Sequence, residues 1–68
     1  MKATMTINEI YIYVRDIDAR RGGSDWLFDR DNRLVVEQKN GGVDCRWFDG
    51  VLNKYRRTYL KGVTIAQS

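Results

Sequence analysis

The sequence has no histidine, no proline and one cysteine. Without histidine there is no Ser-His-Asp or Cys-His catalysis, and the commonest metal ligand is missing. A single thiol, Cys45, forms no internal disulfide and no zinc site. Small secreted domains of this length usually carry several disulfides, so one cysteine points to a reducing cytoplasm. No apolar run of 7–15 residues follows the start, which predicts no secretion signal. No stretch approaches 18 apolar residues, so no membrane span is expected. No phosphate-binding loop or dinucleotide fingerprint is present. Gly22-Gly23 and Gly41-Gly42 read as turn pairs. Asp25, Asp29 and Asp31 lack the central glycine and distal glutamate of a calcium loop. An enzyme is not expected, nor is a cofactor or a metal.

Acidic residues are missing from one end. Residues 1–49 hold eight Lys/Arg and nine Asp/Glu, a net of −1. Residues 50–68 hold four Lys/Arg and no acid, a net of +4. The whole +3 excess lies in the last quarter, where it makes a local positive field.

What is present fits one small domain, residues 1–68, with 43% hydrophobic and 31% charged residues. A chain of this size buries only about 60% of its unfolded surface. The core is expected to draw on Trp26, Phe28, Trp47, Phe48 and the four tyrosines. Val43, Cys45 and Trp47 alternate with Asp44, Arg46 and Phe48, the period of a strand with one apolar face. Lys39-Asn40-Gly41-Gly42 predicts a hairpin pairing 33–38 with 43–48, because its turn needs positive φ at both central residues. Trp26-Leu27-Phe28 reads as a short strand, Asp29–Asn32 as a turn, and Val63–Ala66 as a short edge strand or a fraying end.

Two segments decide the fold class. Val51, Leu52, Tyr55 and Tyr59 cover an arc of roughly 100° on a helix, with Asp49 as N-cap and Gly62 as left-handed stop. Residues 7–20 fit two templates. Ile10, Ile12 and Val14 alternate as in a strand. Ile7, Ile10, Tyr11, Val14 and Ile17 also fit a helix, with Thr6 and Glu9 as a capping box. The β-branched and aromatic run YIYV favours the strand. The expected fold is α+β: a small antiparallel sheet of three to four strands with a C-terminal helix packed on one face. Ile10, Ile12, Val14, Leu34, Val36, Val43, Cys45 and Trp47 would face that helix, and Leu52, Tyr55 and Tyr59 would face back. The alternative makes residues 7–20 helical, in the order α-β-β-α.

On that fold Lys54, Arg56, Arg57 and Lys61 form a basic helical face. Tyr11, Tyr13, Arg15 and Arg46 share the outer side of the sheet, where rings stack bases or meet a protein. Two functions follow for a small cytoplasmic regulatory protein. One binds nucleic acid through the basic helix and sheet aromatics. The other binds a protein, acidic on its surface, as an inhibitor or antirepressor-like factor of the phage and mobile-element type. Packing of two copies into a homodimer is a third reading of the same aromatics.

Overall fold

A computed structural model describes residues 3–22, 34–49 and 52–66. The order is β1 (Ala3–Met5), α1 (Ile7–Arg20), β2 (Val35–Lys39), β3 (Gly42–Asp49), β4 (Lys54–Lys61) and β5 (Val63–Ile65). β2, β3 and β4 form an antiparallel sheet in that order, and β1 pairs with β5 in parallel. Trp26–Phe28, the Asp29–Asn32 turn, the Asp25/Asp29/Asp31 cluster, Gly50 and Val51 lie outside the described residues.

The expected C-terminal helix is not there: residues 54–61 are a strand. The helix is at the other end, where the sequence favoured a strand. Local terms explain the N-terminal half. Ile, Tyr and Val each disfavour a helix by only tenths of a kcal/mol, roughly 2 kcal/mol over the whole run. Against this stands a complete capping box. The Thr6 hydroxyl accepts from the Glu9 amide at 3.2 Å, and the Glu9 carboxylate accepts from the Thr6 amide at 2.8 Å. That box contributes about 1 kcal/mol; burial of Ile10 and Val14 is common to strand and helix, and only the helical period also carries Asp18 inward, where Arg56 meets it. The helix wins. Its inward stripe is Ile10, Val14 and Asp18, at i, i+4 and i+8, all buried. Ile12, expected inside, is 62% exposed. The helix ends as its sequence implied, with Gly22 at φ 78° just beyond Arg21.

Tertiary pairing explains the C-terminal half. β3 is the central strand, and its second edge needs a partner along its whole length. Residues 54–61 supply it in an eight-residue register, from Asp49↔Lys54 to Gly42↔Lys61. The segment alternates: Thr58 and Leu60 point into the core, and Tyr55, Arg57, Tyr59 and Lys61 point away from it. The β2–β3 hairpin forms as its turn requires. Val35 pairs with Arg46 and Lys39 with Gly42, with Asn40 at φ 51° and Gly41 at φ 79°.

The core joins Ile10, Val14, Leu34, Val43, Cys45, Trp47, Leu60 and Val63, with Val36, Tyr11 and Ile17 packed beside it. Most of the expected inward set is therefore there. The aromatic share is not: Trp47 is buried, while Tyr13, Phe48, Tyr55 and Tyr59 are exposed. Gln38 ties the two sheets together. Its amide donates to the Val63 carbonyl at 2.8 Å and accepts from the Ile65 amide at 2.7 Å, like a rung of a ladder. Among the described residues no helix is long and apolar enough to cross a membrane.

Candidate interaction surface

The register divides the sheet's side chains between two faces. Val36, Gln38, Val43, Cys45, Trp47, Arg56, Thr58 and Leu60 share the face that meets α1. The outer face carries Val35, Glu37 and Lys39 from β2, Asp44, Arg46 and Phe48 from β3, and Tyr55, Arg57, Tyr59 and Lys61 from β4. Four large side chains on it are exposed: Val35, Phe48, Tyr59 and, at 81%, Tyr55.

Phe48 and Tyr55 face each other across β3 and β4, with ring centroids 5.0 Å apart and planes at 69°. This edge-to-face contact orients both rings and leaves the Tyr55 ring in solvent. Tyr59 is fixed differently. Its hydroxyl donates toward the carbonyls of Asn40 at 2.9 Å and Lys39 at 3.0 Å, and its ring lies over Gly42.

Asp44 lies buried beneath this surface. It accepts a 2.7 Å hydrogen bond from Arg57 Nε, and Arg46 Nε lies 3.6 Å away. The hydrogen bond from Arg57 holds the Asp44 carboxyl below the usual aspartate range, and Asp44 in turn raises Arg57. The carboxylate pins both guanidinium groups beside the aromatic rings. The face carries Lys39, Arg46, Arg57 and Lys61 against Glu37 and Asp44, four positive and two negative charges, a net of +2.

The predicted site residues are scattered by this fold. Arg46, Arg57 and Lys61 come together on the outer face. Lys54 is exposed at the start of β4. Arg56 turns inward, and its Nε donates to the buried Asp18 carboxylate at 2.7 Å. It is sequestered from any partner. Tyr11, Tyr13 and Arg15 lie on α1, against the opposite face of the sheet. Tyr11 is partly buried, its hydroxyl donating to the Leu34 carbonyl at 3.2 Å. The expected basic helical face does not exist, because the four cations lie on a strand whose alternation sends Arg56 and Arg57 to opposite sides.

Sequence reasoning missed Phe48, Tyr55, Tyr59 and Asp44. The signal was the alternation of residues 55, 57, 59 and 61, together with Phe48 out of phase with the apolar set 43, 45 and 47. Cys45 is buried, as its place in that set implied. Burial, and then the neighbouring Asp44 carboxylate, push its thiol up to about 11. It is protonated at neutral pH and a poor nucleophile. Among the described residues no group of three or more carboxylates or thiols converges to hold a metal ion.

No protein-family model matches the chain, and neither a curated protein nor a solved structure shows significant similarity to it.

Proposed function

We propose that the chain is a small non-enzymatic, protein-binding regulatory factor of the cytoplasm, and that the outer face of its sheet is the interface. The observation that carries this is the exposed aromatic pair Phe48 and Tyr55, with Tyr59 further along the same face beyond Arg57, and Arg46 opposite Arg57. Tyrosine and arginine are the side chains that most often dominate protein interfaces. These rings are already oriented by Phe48–Tyr55 packing and by the Tyr59 hydrogen bonds, so little ordering entropy is lost on docking. The net +2 of the face favours a partner with an acidic rim. The test is capture from the source cell with the wild-type chain and with Tyr55→Ala and Phe48→Ala. The expected result is a protein that survives nuclease treatment and is lost with either variant. Undiminished capture by both variants refutes the reading.

A second reading has its own observation. Two stackable rings beside Arg46, Arg57 and Lys61 also suit single-stranded nucleic acid. Titration of a fluorescent oligothymidylate against salt separates the two. A nucleic-acid face gives tight binding at about 50 mM salt that falls steeply as salt rises. A protein-binding face gives no such response.

A further inference from the structure

A groove of about 460 Å³ runs beside β4. Residues 58, 59, 60 and 61 all line it. Successive side chains of a strand point to opposite faces, so four consecutive residues meet one groove only along the strand's edge. β4 is an edge strand, paired with β3 alone among the described residues. The opposite wall is one stripe of α1 and its cap, Tyr13, Ile17 and Arg21, at i, i+4 and i+8. Met5 and Val63 close one end with apolar surface. Among the described residues the outer edge of β4 therefore has no strand partner, and it faces a groove wide enough for side chains.

Charge selects what enters. Among the described residues that line the groove, Arg21 and Lys61 are charged and none is a carboxylate. β4 itself carries Lys54, Arg56, Arg57 and Lys61 and no acid. A second copy pairing edge to edge would set the exposed Lys54, Arg57 and Lys61 against their counterparts, the device by which natural edges resist self-pairing. The larger groove on the outward side of α1, about 640 Å³, carries both signs through Glu9, Arg15 and Asp16 and offers no strand edge.

We propose that the edge of β4 accepts an extended acidic segment of a partner protein as an added strand. The segment's apolar side chains enter between Ile17 and Leu60, and its carboxylates meet Arg21 and Lys61. This rests on the protein-binding reading above and names how the partner is held: backbone pairing supplies affinity, and the groove supplies specificity.

The probe is a capped ten-residue peptide alternating valine and glutamate, labelled for fluorescence anisotropy. Three comparison peptides accompany it: one with lysine for glutamate, and two with backbone N-methylation on one or the other alternate set of residues. The glutamate peptide is expected to bind, and Arg21→Glu with Lys61→Glu to weaken it about tenfold or more. One N-methylated set loses binding and the other keeps it, because only alternate amides of an added strand face the edge. Slowed amide exchange in residues 54–61 on binding places the peptide on β4. Both substituted positions are exposed, so the double variant keeps its fold, which circular dichroism checks. The proposal is overturned by no binding at millimolar peptide, by equal affinity for the lysine peptide, by indifference to both methylation patterns, or by competition from oligothymidylate for the groove. Tyr55-dependent capture without any peptide response removes the edge proposal and leaves the sheet-face interface standing. Loss of both removes both.

Discussion

Replacing Arg56 by alanine is expected to bring the protein close to unfolding. Arg56 Nε donates to Asp18 Oδ1 at 2.7 Å, and the Asp18 side chain is only 1% exposed. The other oxygen, Oδ2, has no hydrogen-bond partner among the described residues. Arg56→Ala therefore strands a carboxylate in the core. Removing one partner of a buried pair destabilises by about 3–5 kcal/mol. A chain of 68 residues has a total stability of about 3–10 kcal/mol, so most or all of it is at stake. Asp18→Asn is milder. The Arg56 side chain is 16% exposed and can turn its head to water, so the loss is about 1–2 kcal/mol. The pair Asp18→Leu with Arg56→Met removes both charges at similar volume and should fall within about 1 kcal/mol of wild type, or above it. Urea unfolding followed by far-ultraviolet circular dichroism measures all three. With a slope near 1 kcal/mol per molar urea, Arg56→Ala moves the midpoint by about 3 M or leaves no folded baseline. The double variant recovers it. A midpoint shift below about 0.5 M for Arg56→Ala, or a double variant no better than Arg56→Ala alone, refutes the reasoning.

The hairpin glycines separate by mechanism. Gly41→Ala strains a residue at φ 79° with open space around it, a loss of about 1–2 kcal/mol. Gly42→Ala sets a Cβ 2.6 Å from the Leu60 carbonyl oxygen and equally close to the Tyr59 ring, so it should melt at lower temperature than Gly41→Ala; the reverse order on thermal unfolding counts against the ring-over-glycine contact. Asp44 predicts an acid limb. Its folded pKa is depressed, so its contribution is complete above the usual 3.8 and is lost as pH falls through the lower folded value. The melting-temperature gap between wild type and Asp44→Asn should hold from pH 7 to about pH 4 and close below it; a gap that does not vary with pH contradicts the Arg57 pairing. Cys45, buried with its thiol raised to about 11, should resist a thiol reagent at pH 8 until denaturant is added, and stoichiometric labelling of the native chain within seconds counts against its burial.

Some of this architecture could be read from the chain because neighbouring residues decide it. Asn40-Gly41 names its own turn, and the 43-45-47 alternation names the core face of the strand after it. Thr6 and Glu9 close a capping box within four residues, and those bonds form as written. What outweighed them in the reading was YIYV, whose strand preference is a matter of tenths per residue. The third member of the inward stripe also hid the helix. Asp18 sits where a periodic pattern expects an apolar residue, and it is made tolerable there by Arg56, 38 positions away. No local window contains both.

The C-terminal error shows why end signals do not name the element between them. Asp49 fits a helix cap, and its carboxylate does accept a hydrogen bond from the Leu52 amide, three residues on, at 3.0 Å. That bond is common to an N-cap and to a side-chain-closed turn. Gly62 fits a left-handed stop, and it does sit at φ 78°. There it turns β4 into β5, its amide donating to the Gly41 carbonyl at 2.9 Å. The Asp49–Leu52 bond and the positive φ of Gly62 therefore suit helix and hairpin alike, and the choice passes to residues 54–61. Their ring spacing fits either period. The tie is broken by the vacant edge of β3, a partner that exists only once the first hairpin has formed. The same pairing sets the proposed interaction surface. Laid along an edge strand, the four cations split: Arg56 goes to Asp18, Arg57 to Asp44, and Lys54 and Lys61 stay exposed. The tyrosines that a helix would have buried become the outer face. A single change of period thus exchanges a basic rod for an aromatic sheet, and moves the partner we propose from nucleic acid toward protein.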